Sequence, residues 1–232
     1  MDETVIPRPV TASLVVQGSS ARFPVRRVYC VGRNYADHQR EMGGTGRERP
    51  FFFAKPADAI LNVADGTEGL MAYPPATRNL HHEVELVVAL GAGGHDLSVE
   101  QAAACIWGYA IGLDMTRRDL QSDAKKAGRP WETGKSFDHS APMGPLHPAQ
   151  RTGALSSGAI ALSVNGQPRQ KGDLADMIWS VPEAIADLST FFTLQPGDLL
   201  FTGTPAGVGA VVRGDHLEGS VQGLGTLRVR IG

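Results

Sequence analysis

The stretch His81-His82-Glu83-Val84-Glu85-Leu86-Val87-Val88-Ala89-Leu90 opens an apolar run with two carboxylates two residues apart. The run predicts a β-strand, and alternation of side chains then projects Glu83 and Glu85 from one face, with Cα atoms about 7 Å apart. Oxygen-only ligands favour a hard cation such as Mg²⁺, Mn²⁺ or Ca²⁺. A pair of solvated glutamates on an exposed strand face explains the same pattern, so the pair alone leaves two interpretations.

A third acid ends another predicted strand, because the apolar run of residues 106–113 leads directly into Asp114. A buried carboxylate is costly without a partner, so a cation, hydrogen-bond donors or a helix N-terminus is expected beside it. A helix is predicted to follow, with Thr116 as its N-cap, Asp119 as the capping-box partner and Gly128 at its end. Asp114 therefore fits either metal ligation or a favourable interaction with that helix dipole.

A polar segment after the predicted strand 28–31 contains His38 and Glu41. If the segment is helical, these two residues are i,i+3 neighbours, and the carboxylate can orient the imidazole for general-base activation of water. An ordinary surface pair fits the same spacing. Glycines at 43, 44 and 46 favour a lid that orders when substrate binds, although a surface loop has the same composition.

Six phrases together resemble the fumarylacetoacetate hydrolase family, over a region from about Arg27 to the C-terminus. They are Tyr29-Cys30-Val31-Gly32-Arg33-Asn34-Tyr35-Ala36-Asp37-His38, Phe53-Ala54-Lys55-Pro56, Asn79-Leu80-His81-His82-Glu83-Val84-Glu85, Gly112-Leu113-Asp114-Met115-Thr116-Arg117-Arg118-Asp119, Gly134-Lys135-Ser136-Phe137-Asp138 and Phe201-Thr202-Gly203-Thr204-Pro205-Ala206-Gly207-Val208-Gly209. Within the family the chain is most similar to the small acylpyruvate hydrolases, especially those that cleave fumarylpyruvate in gentisate breakdown.

The resemblance implies a role for each matching residue. The implied ligands of one divalent cation, Mg²⁺ or Mn²⁺, are Glu83, Glu85 and Asp114. The implied catalytic residues are His38 and Glu41, which activate water, and Lys135, which faces the substrate oxygens. The implied substrate-binding residues are Gln121 and Thr204, with Arg33 and Arg118 as weaker candidates for binding an acidic substrate.

These roles suit hydrolysis of a carbon–carbon bond in a dicarboxylic 2,4-diketo acid. The expected reaction converts fumarylpyruvate to fumarate and pyruvate through a pyruvate enolate. General acylpyruvate hydrolysis, oxaloacetate decarboxylation and keto–enol tautomerisation are alternatives, because the same site can stabilise the same enolate. A protein that binds a divalent ion or a keto acid without turnover is the alternative outside enzymes.

Composition predicts a strand-rich α+β fold, because 28 glycines and 15 prolines among 232 residues favour short strands joined by turns. The resemblance implies a rolled mixed β-structure, or barrel, with a few outer helices. Residues 1–26 are expected to form an appended strand or hairpin, and residues 27–232 the catalytic domain. Ser98 with Gln101 and Ser180 with Glu183 predict two helix starts, and Asn165-Gly166 predicts a type I′ hairpin.

The formal net charge of −2, without a lysine–arginine block, argues against binding of nucleic acid. No apolar stretch approaches the roughly 20 residues that span a bilayer, and no signal peptide is evident, so no membrane association is expected. Two cysteines, Cys30 and Cys105, without a CxxC pair favour reduced thiols and a cytoplasmic location. The family resemblance implies a homodimer.

Overall fold

The computed structural model describes residues 4–35 and 47–232, and within these ranges the chain is built mainly of strands. The strands are β1 (Ser13–Val15), β2 (Arg22–Pro24), β3 (Val28–Gly32), β4 (Phe51–Lys55), β5 (Ile60–Asn62), β6 (Glu68–Met71), β7 (Leu80–His82), β8 (Val84–Leu90), β9 (Ile106–Leu113), β10 (Thr116–Arg117), β11 (Ala141–Met143), β12 (His147–Pro148), β13 (Ala159–Val164), β14 (Gln167–Asp173), β15 (Leu199–Phe201), β16 (Gly209–Val211), β17 (His216–Val221) and β18 (Gly225–Ile231). The helices are α1 (Val99–Ala104), α2 (Arg118–Lys126), α3 (Glu132–Lys135), α4 (Ala149–Thr152) and α5 (Val181–Ser189), with single 3₁₀ turns at Ala57–Ala59 and Leu174–Asp176.

The largest sheet has the strand order β4-β3-β15-β8-β9-β11-β5, and β12 pairs with β9 beside it. It is a mixed sheet, because β15 runs parallel to β3 and β11 parallel to β5, whereas β8 and β9 are antiparallel. A five-stranded sheet has the order β14-β13-β17-β18-β6, and a three-stranded sheet has the order β10-β7-β16. The predicted strand-rich α+β class with a mixed β-structure is confirmed.

The large sheet is buried on both faces, and this explains why β8 is apolar at every position except Glu85. Val84, Leu86 and Val88 lie in one core cluster with residues of the five-stranded sheet and of α5. Val87 and Ala89, on the opposite face, lie in a second cluster. A strand enclosed on both sides reads as a continuous apolar run instead of an alternating one.

The second core cluster is closed by a hairpin of β1 and β2, which pair in the register Leu14 to Phe23. Both side chains are buried there with Val87 and Phe201. The division of the chain into residues 1–26 and residues 27–232 stays a prediction.

Local signals in the sequence set several of the turns and helix ends. Helix α1 begins with the predicted capping box, in which the Ser98 side chain accepts from the Gln101 N–H. The Asn165-Gly166 turn joins β13 to β14 with positive φ at both residues, 51° and 75°, as a type I′ turn requires.

The predicted cap of the helix after Asp114 is wrong. Thr116 lies in β10, and its hydroxyl donates to the carbonyl of Asp114; helix α2 begins two residues later, after Arg117. The Asp119 carboxylate instead accepts from the Thr77 hydroxyl at 2.6 Å and from the Arg78 N–H at 3.0 Å. The short pairing of β10 with β7 outweighed the local capping signal.

Within the described residues, every helix is too short or too polar to cross a lipid bilayer. The predicted lid pair, His38 and Glu41, lies outside the described residues.

Candidate metal centre and active site

Strand pairing brings together the three acids from two distant stretches of sequence. Glu83 lies at the break between β7 and β8, Glu85 lies on β8, and Asp114 follows β9. Because β8 and β9 are antiparallel, the start of one lies beside the end of the other, and the Asp114 N–H donates to the Glu83 carbonyl at 2.8 Å. One carboxylate oxygen from each residue lies within 4.8 Å of the others, and all three residues are buried.

Among the residues that the structure describes, three cationic side chains form ion pairs with this acid cluster, which we define as Glu83, Glu85 and Asp114. The Lys135 ammonium donates to Glu83 Oε2 at 2.7 Å and to Asp114 Oδ2 at 2.6 Å. Lys55 Nζ lies 2.9 Å from Asp114 Oδ1, and Arg118 pairs with Glu83. Three cations therefore offset three carboxylates, as burial of this much charge requires.

The electrostatics of the acid cluster raise the pKa of Glu85 well above its ordinary value, because burial penalises the charged form and Asp114 and Glu83 repel it. The Gly203 N–H opposes this shift by donating to Glu85 Oε2 at 2.7 Å. Burial also lowers the pKa of Lys135, but Asp114 and Glu83 outweigh it, and the net shift is upward. The lysine therefore stays charged.

The donor set fits a hard divalent cation. All three candidate ligands are carboxylates, and they converge within a buried space that is small enough for one ion. Oxygen donors of this kind suit Mg²⁺ or Mn²⁺. A divalent cation would also relieve the repulsion that raises the pKa of Glu85.

Lys135 reaches the acid cluster from the end of the one-turn helix α3, which packs against α2. The approach is close, since a Cβ on Gly134 would lie 2.9 Å from the Gln121 backbone nitrogen. On α2, Arg118 donates to the Gln121 side-chain oxygen at 2.6 Å. The structure thus places Lys135, Arg118 and Gln121 together beside Glu83.

Thr204 lies in the turn after β15 and borders the same cavity as the acid cluster. Its hydroxyl donates to the Val84 carbonyl at 2.8 Å and accepts from Gln170 Nε2 at 2.7 Å. Since a hydroxyl has one hydrogen to donate, that hydrogen is already used inside the protein. Thr204 is positioned by the start of β8, and its hydroxyl has no second hydrogen for a substrate carboxylate.

Gln170, on β14, holds this turn through both the nitrogen and the oxygen of its side-chain amide. Its nitrogen donates to Thr204 and to the Pro205 carbonyl at 2.8 Å, and its oxygen accepts from the Val84 N–H at 3.1 Å and contacts His82 Nδ1 at 2.9 Å. Only 1% of Gln170 is exposed. The residue therefore joins the five-stranded sheet to the strand that carries Glu85.

The two histidines beside the acid cluster are held neutral. Burial, assisted by the charge of Arg118, lowers the pKa of His81 to about 4. Burial likewise lowers the pKa of His82. Neither ring therefore adds positive charge to the site at neutral pH.

Sequence reasoning assigned no role to Lys55 or Gln170. Lys55 ends the apolar strand β4 and is 2% exposed, so the signal that singled out Asp114, a charge at the end of an apolar run, was present there too. Gln170 had no such signal, because its neighbours on β14 are mostly exposed and polar.

Comparison with known proteins places this geometry in context. A family model described as fumarylacetoacetate (FAA) hydrolase C-terminal matches residues 27–232. A fumarylpyruvate hydrolase from a Ralstonia species is 47% identical over 185 residues, which cover 80% of this chain and 94% of the relative. The oxaloacetate tautomerase YcgM of Escherichia coli is 43% identical, with 89% of this chain and 93% of the relative covered. The crystal structure of fumarylpyruvate hydrolase from Pseudomonas aeruginosa, in complex with Mn²⁺ and pyruvate, matches with a TM-score of 0.97, 56% identity and 99% of each chain covered.

Proposed function

Because the chain belongs to the fumarylacetoacetate hydrolase family, we propose that it is a metal-dependent enzyme that hydrolyses fumarylpyruvate to fumarate and pyruvate. The observation that carries this proposal is the buried acid cluster with Lys135 bridging two of its members. The Mn²⁺ and pyruvate bound by the Pseudomonas relative, 56% identical to this chain, support the same chemistry.

Charge balance supports a dianionic substrate. Among the described residues, the acid cluster and the cations Lys55, Lys135 and Arg118 sum to a formal charge of zero, and Arg33, which borders the same cavity, adds one positive charge. A divalent cation would add two more positive charges, which a dicarboxylate would largely offset. Glu83, Glu85 and Asp114 would hold the divalent cation, which would supply Lewis-acid polarisation of the substrate's carbonyl oxygen.

The residues of the chain have defined roles in this reaction. His38 and Glu41, assigned from the family resemblance, take a proton from the water that attacks the 4-keto carbon. The bond between C3 and C4 then breaks, and its electron pair becomes the pyruvate enolate, which is protonated at C3. Lys135 uses two of its three N–H groups on Glu83 and Asp114, which leaves one for an oxygen on which negative charge develops.

The remaining substrate-binding roles are assigned from the position of each residue around the acid cluster. Gln121 and Arg118 approach from α2, Thr204 from the turn after β15, and Arg33 from the end of β3. Since the hydroxyl hydrogen of Thr204 is used by Val84, its contribution to substrate binding is positional.

Oxaloacetate tautomerisation or decarboxylation is the second candidate function, favoured by the 43% identity to the Escherichia coli tautomerase. Neither reaction needs a hydrolytic water. His38→Ala should therefore abolish hydrolysis of fumarylpyruvate while oxaloacetate turnover survives.

We also propose a homodimer in the cytoplasm that serves the breakdown of gentisate, with residues 27–232 as the catalytic domain. The match of the family model to residues 27–232 supports the domain, and the two free, buried thiols Cys30 and Cys105 suit a reducing compartment. Light scattering on the purified protein tests the dimer, and a monomer mass would refute it.

The test of the proposed activity uses enzyme stripped of metal and then resupplied with Mg²⁺ or Mn²⁺. Loss of the enol absorbance of fumarylpyruvate should depend on the added metal. Lys135→Met should slow it about 10²- to 10³-fold, the cost of removing one charge-stabilising donor. The exposed variant Lys171→Met is the matched control and should keep the wild-type rate. Metal-independent turnover, or equal rates in the two variants, would contradict the proposal.

A further inference from the structure

The cavity of the acid cluster lies beside a second cavity, and Arg33 borders both. The inner cavity is lined by the acid cluster, Lys135, Phe51 and Trp131, and the outer one by residues that include Arg49 and Trp179. Gly32, Arg33 and Phe51 are common to the two linings. Arg33 therefore lies where the cavity of the acid cluster meets its neighbour.

The backbone of Arg33 is held in an unusual conformation. Its φ angle is +59°, in the left-handed region that an arginine rarely adopts. The next residue, Asn34, is 1% exposed and holds the chain by donating to the Thr202 carbonyl at 2.8 Å and accepting from the Trp179 N–H at 2.8 Å. Residues in sparsely populated conformations persist only where the surrounding structure over-determines them, and they cluster at functional sites.

Arg33 also differs from the neighbouring arginines in having no anionic partner among the described residues. Its Nε is buried without a hydrogen-bond partner, and its guanidinium carbon lies 5.8 Å from the centre of the Phe51 ring. Arg118, by contrast, pairs with Glu83, and Arg49 pairs with Asp187 at 2.8 Å. Arg33 thus offers an uncommitted fork of donors that matches the geometry of a carboxylate.

Aromatic rings form the wall between Arg33 and Lys135. Phe51 and Trp131 meet edge to face with their centroids 5.3 Å apart, and Phe53 lies 5.9 Å from Trp131. Flat ring surfaces of this kind suit a planar, conjugated acyl chain better than a compact methyl group.

We propose that Arg33, Phe51 and Trp131 form the acyl subsite, in which Arg33 binds the distal carboxylate of a flat, unsaturated dicarboxylic substrate. This assignment rests on the proposed function and names the part of the site that selects among diketo acids. The exposed Glu48 borders the outer cavity, whereas the acid cluster of the inner cavity is offset by Lys55, Lys135 and Arg118, so the inner side, between Arg33 and Trp131, favours the carboxylate.

The test compares fumarylpyruvate with acetylpyruvate, which has the same diketo-acid head but a methyl group in place of the unsaturated tail. Arg33→Asn removes the guanidinium while keeping a residue that tolerates positive φ. It should lower kcat/KM for fumarylpyruvate about 10²-fold, as expected for loss of a charged hydrogen bond, and leave acetylpyruvate within about threefold. Arg33→Lys keeps a point charge without the fork and should give an intermediate loss. Arg228→Met, at an exposed ion pair with Glu218, is the matched control.

Calorimetric titration gives a readout that does not depend on turnover. Wild-type protein should bind fumarate more tightly than crotonate, which carries a methyl group in place of one carboxylate, and Arg33→Asn should remove this difference. An equal fall of kcat/KM for both diketo acids, or an unchanged preference for fumarate, would overturn the subsite. If the wild type cleaves neither diketo acid, the proposed function fails, whereas an Arg33-dependent preference for fumarate still supports the subsite.

Discussion

Replacement of Gln170 by leucine tests how the turn beside the metal centre is held. The amide of Gln170 makes two donor bonds and contacts two partners through its oxygen, and the side chain is buried. Leucine fills a similar volume but leaves two backbone groups, the Val84 N–H and the Pro205 carbonyl, without this partner. At about 1–3 kcal/mol for each unsatisfied buried group, the expected loss is about 2–6 kcal/mol. That is a large share of the roughly 5–15 kcal/mol that stabilises a domain.

The same change should weaken metal binding, because the released turn contains Gly203, whose N–H orients Glu85. Mn²⁺ affinity is expected to fall about 10- to 100-fold, the usual effect of removing a partner that orients a ligand. Thermal unfolding should show a melting temperature lower by on the order of 10 °C. Titration of Mn²⁺ followed by electron paramagnetic resonance measures the affinity.

Gln222→Leu is the matched control, because Gln222 is exposed and accepts one bond, from the Ala159 N–H at 3.1 Å. The free energy of unfolding of this variant should lie within about 0.5 kcal/mol of the wild-type value. If Gln170→Leu has the same melting temperature as this control variant and the wild-type affinity for Mn²⁺, then Gln170 does not hold the turn beside the metal centre.

Three further outcomes are expected. Glu85→Gln should weaken Mn²⁺ binding at least about 10²-fold, whereas the control Glu218→Gln, at an exposed ion pair, should leave the Mn²⁺ affinity unchanged. Calorimetry measures both affinities, and equal values would show that Glu85 is not a metal ligand. Lys55→Met should destabilise the fold by about 3–5 kcal/mol in urea unfolding, because it leaves buried negative charge uncompensated, and a wild-type midpoint would refute that role. Burial raises the pKa of Cys30 and of Cys105, so both thiols should react slowly with iodoacetamide at pH 8 until the chain unfolds; rapid labelling of the native protein would contradict their burial.

Much of the fold followed from local patterns. The strand 106–113 was predicted with the bounds that the structure shows, and the capping box at Ser98 and the turn at Asn165 were also present. These signals are local, because they depend on side-chain periodicity and on backbone preferences within a few residues. The N-cap predicted at Thr116 failed because pairing of β10 with β7, a contact between distant segments, competed with the local preference.

The candidate metal centre was predictable in part for the same reason. The spacing of Glu83 and Glu85 and the abrupt end of an apolar run at Asp114 are visible in sequence, and antiparallel pairing of β8 and β9 then joins them. The contribution of Gln170 was not visible, because it depends on the packing of one sheet against another. Lys55 is an intermediate case. Its charge at the end of an apolar strand was visible in the sequence, but its ion-pair partner, Asp114, lies 59 residues away.

Hydrolysis of fumarylpyruvate is tested by measuring the products of fumarylpyruvate and oxaloacetate with one preparation of the Mn²⁺-loaded protein. Chromatography should show fumarate and pyruvate formed in equal amounts, with a kcat/KM for fumarylpyruvate far above that for oxaloacetate. Faster consumption of oxaloacetate, or fumarylpyruvate that changes tautomer without cleavage, would contradict hydrolysis as the principal activity of this site.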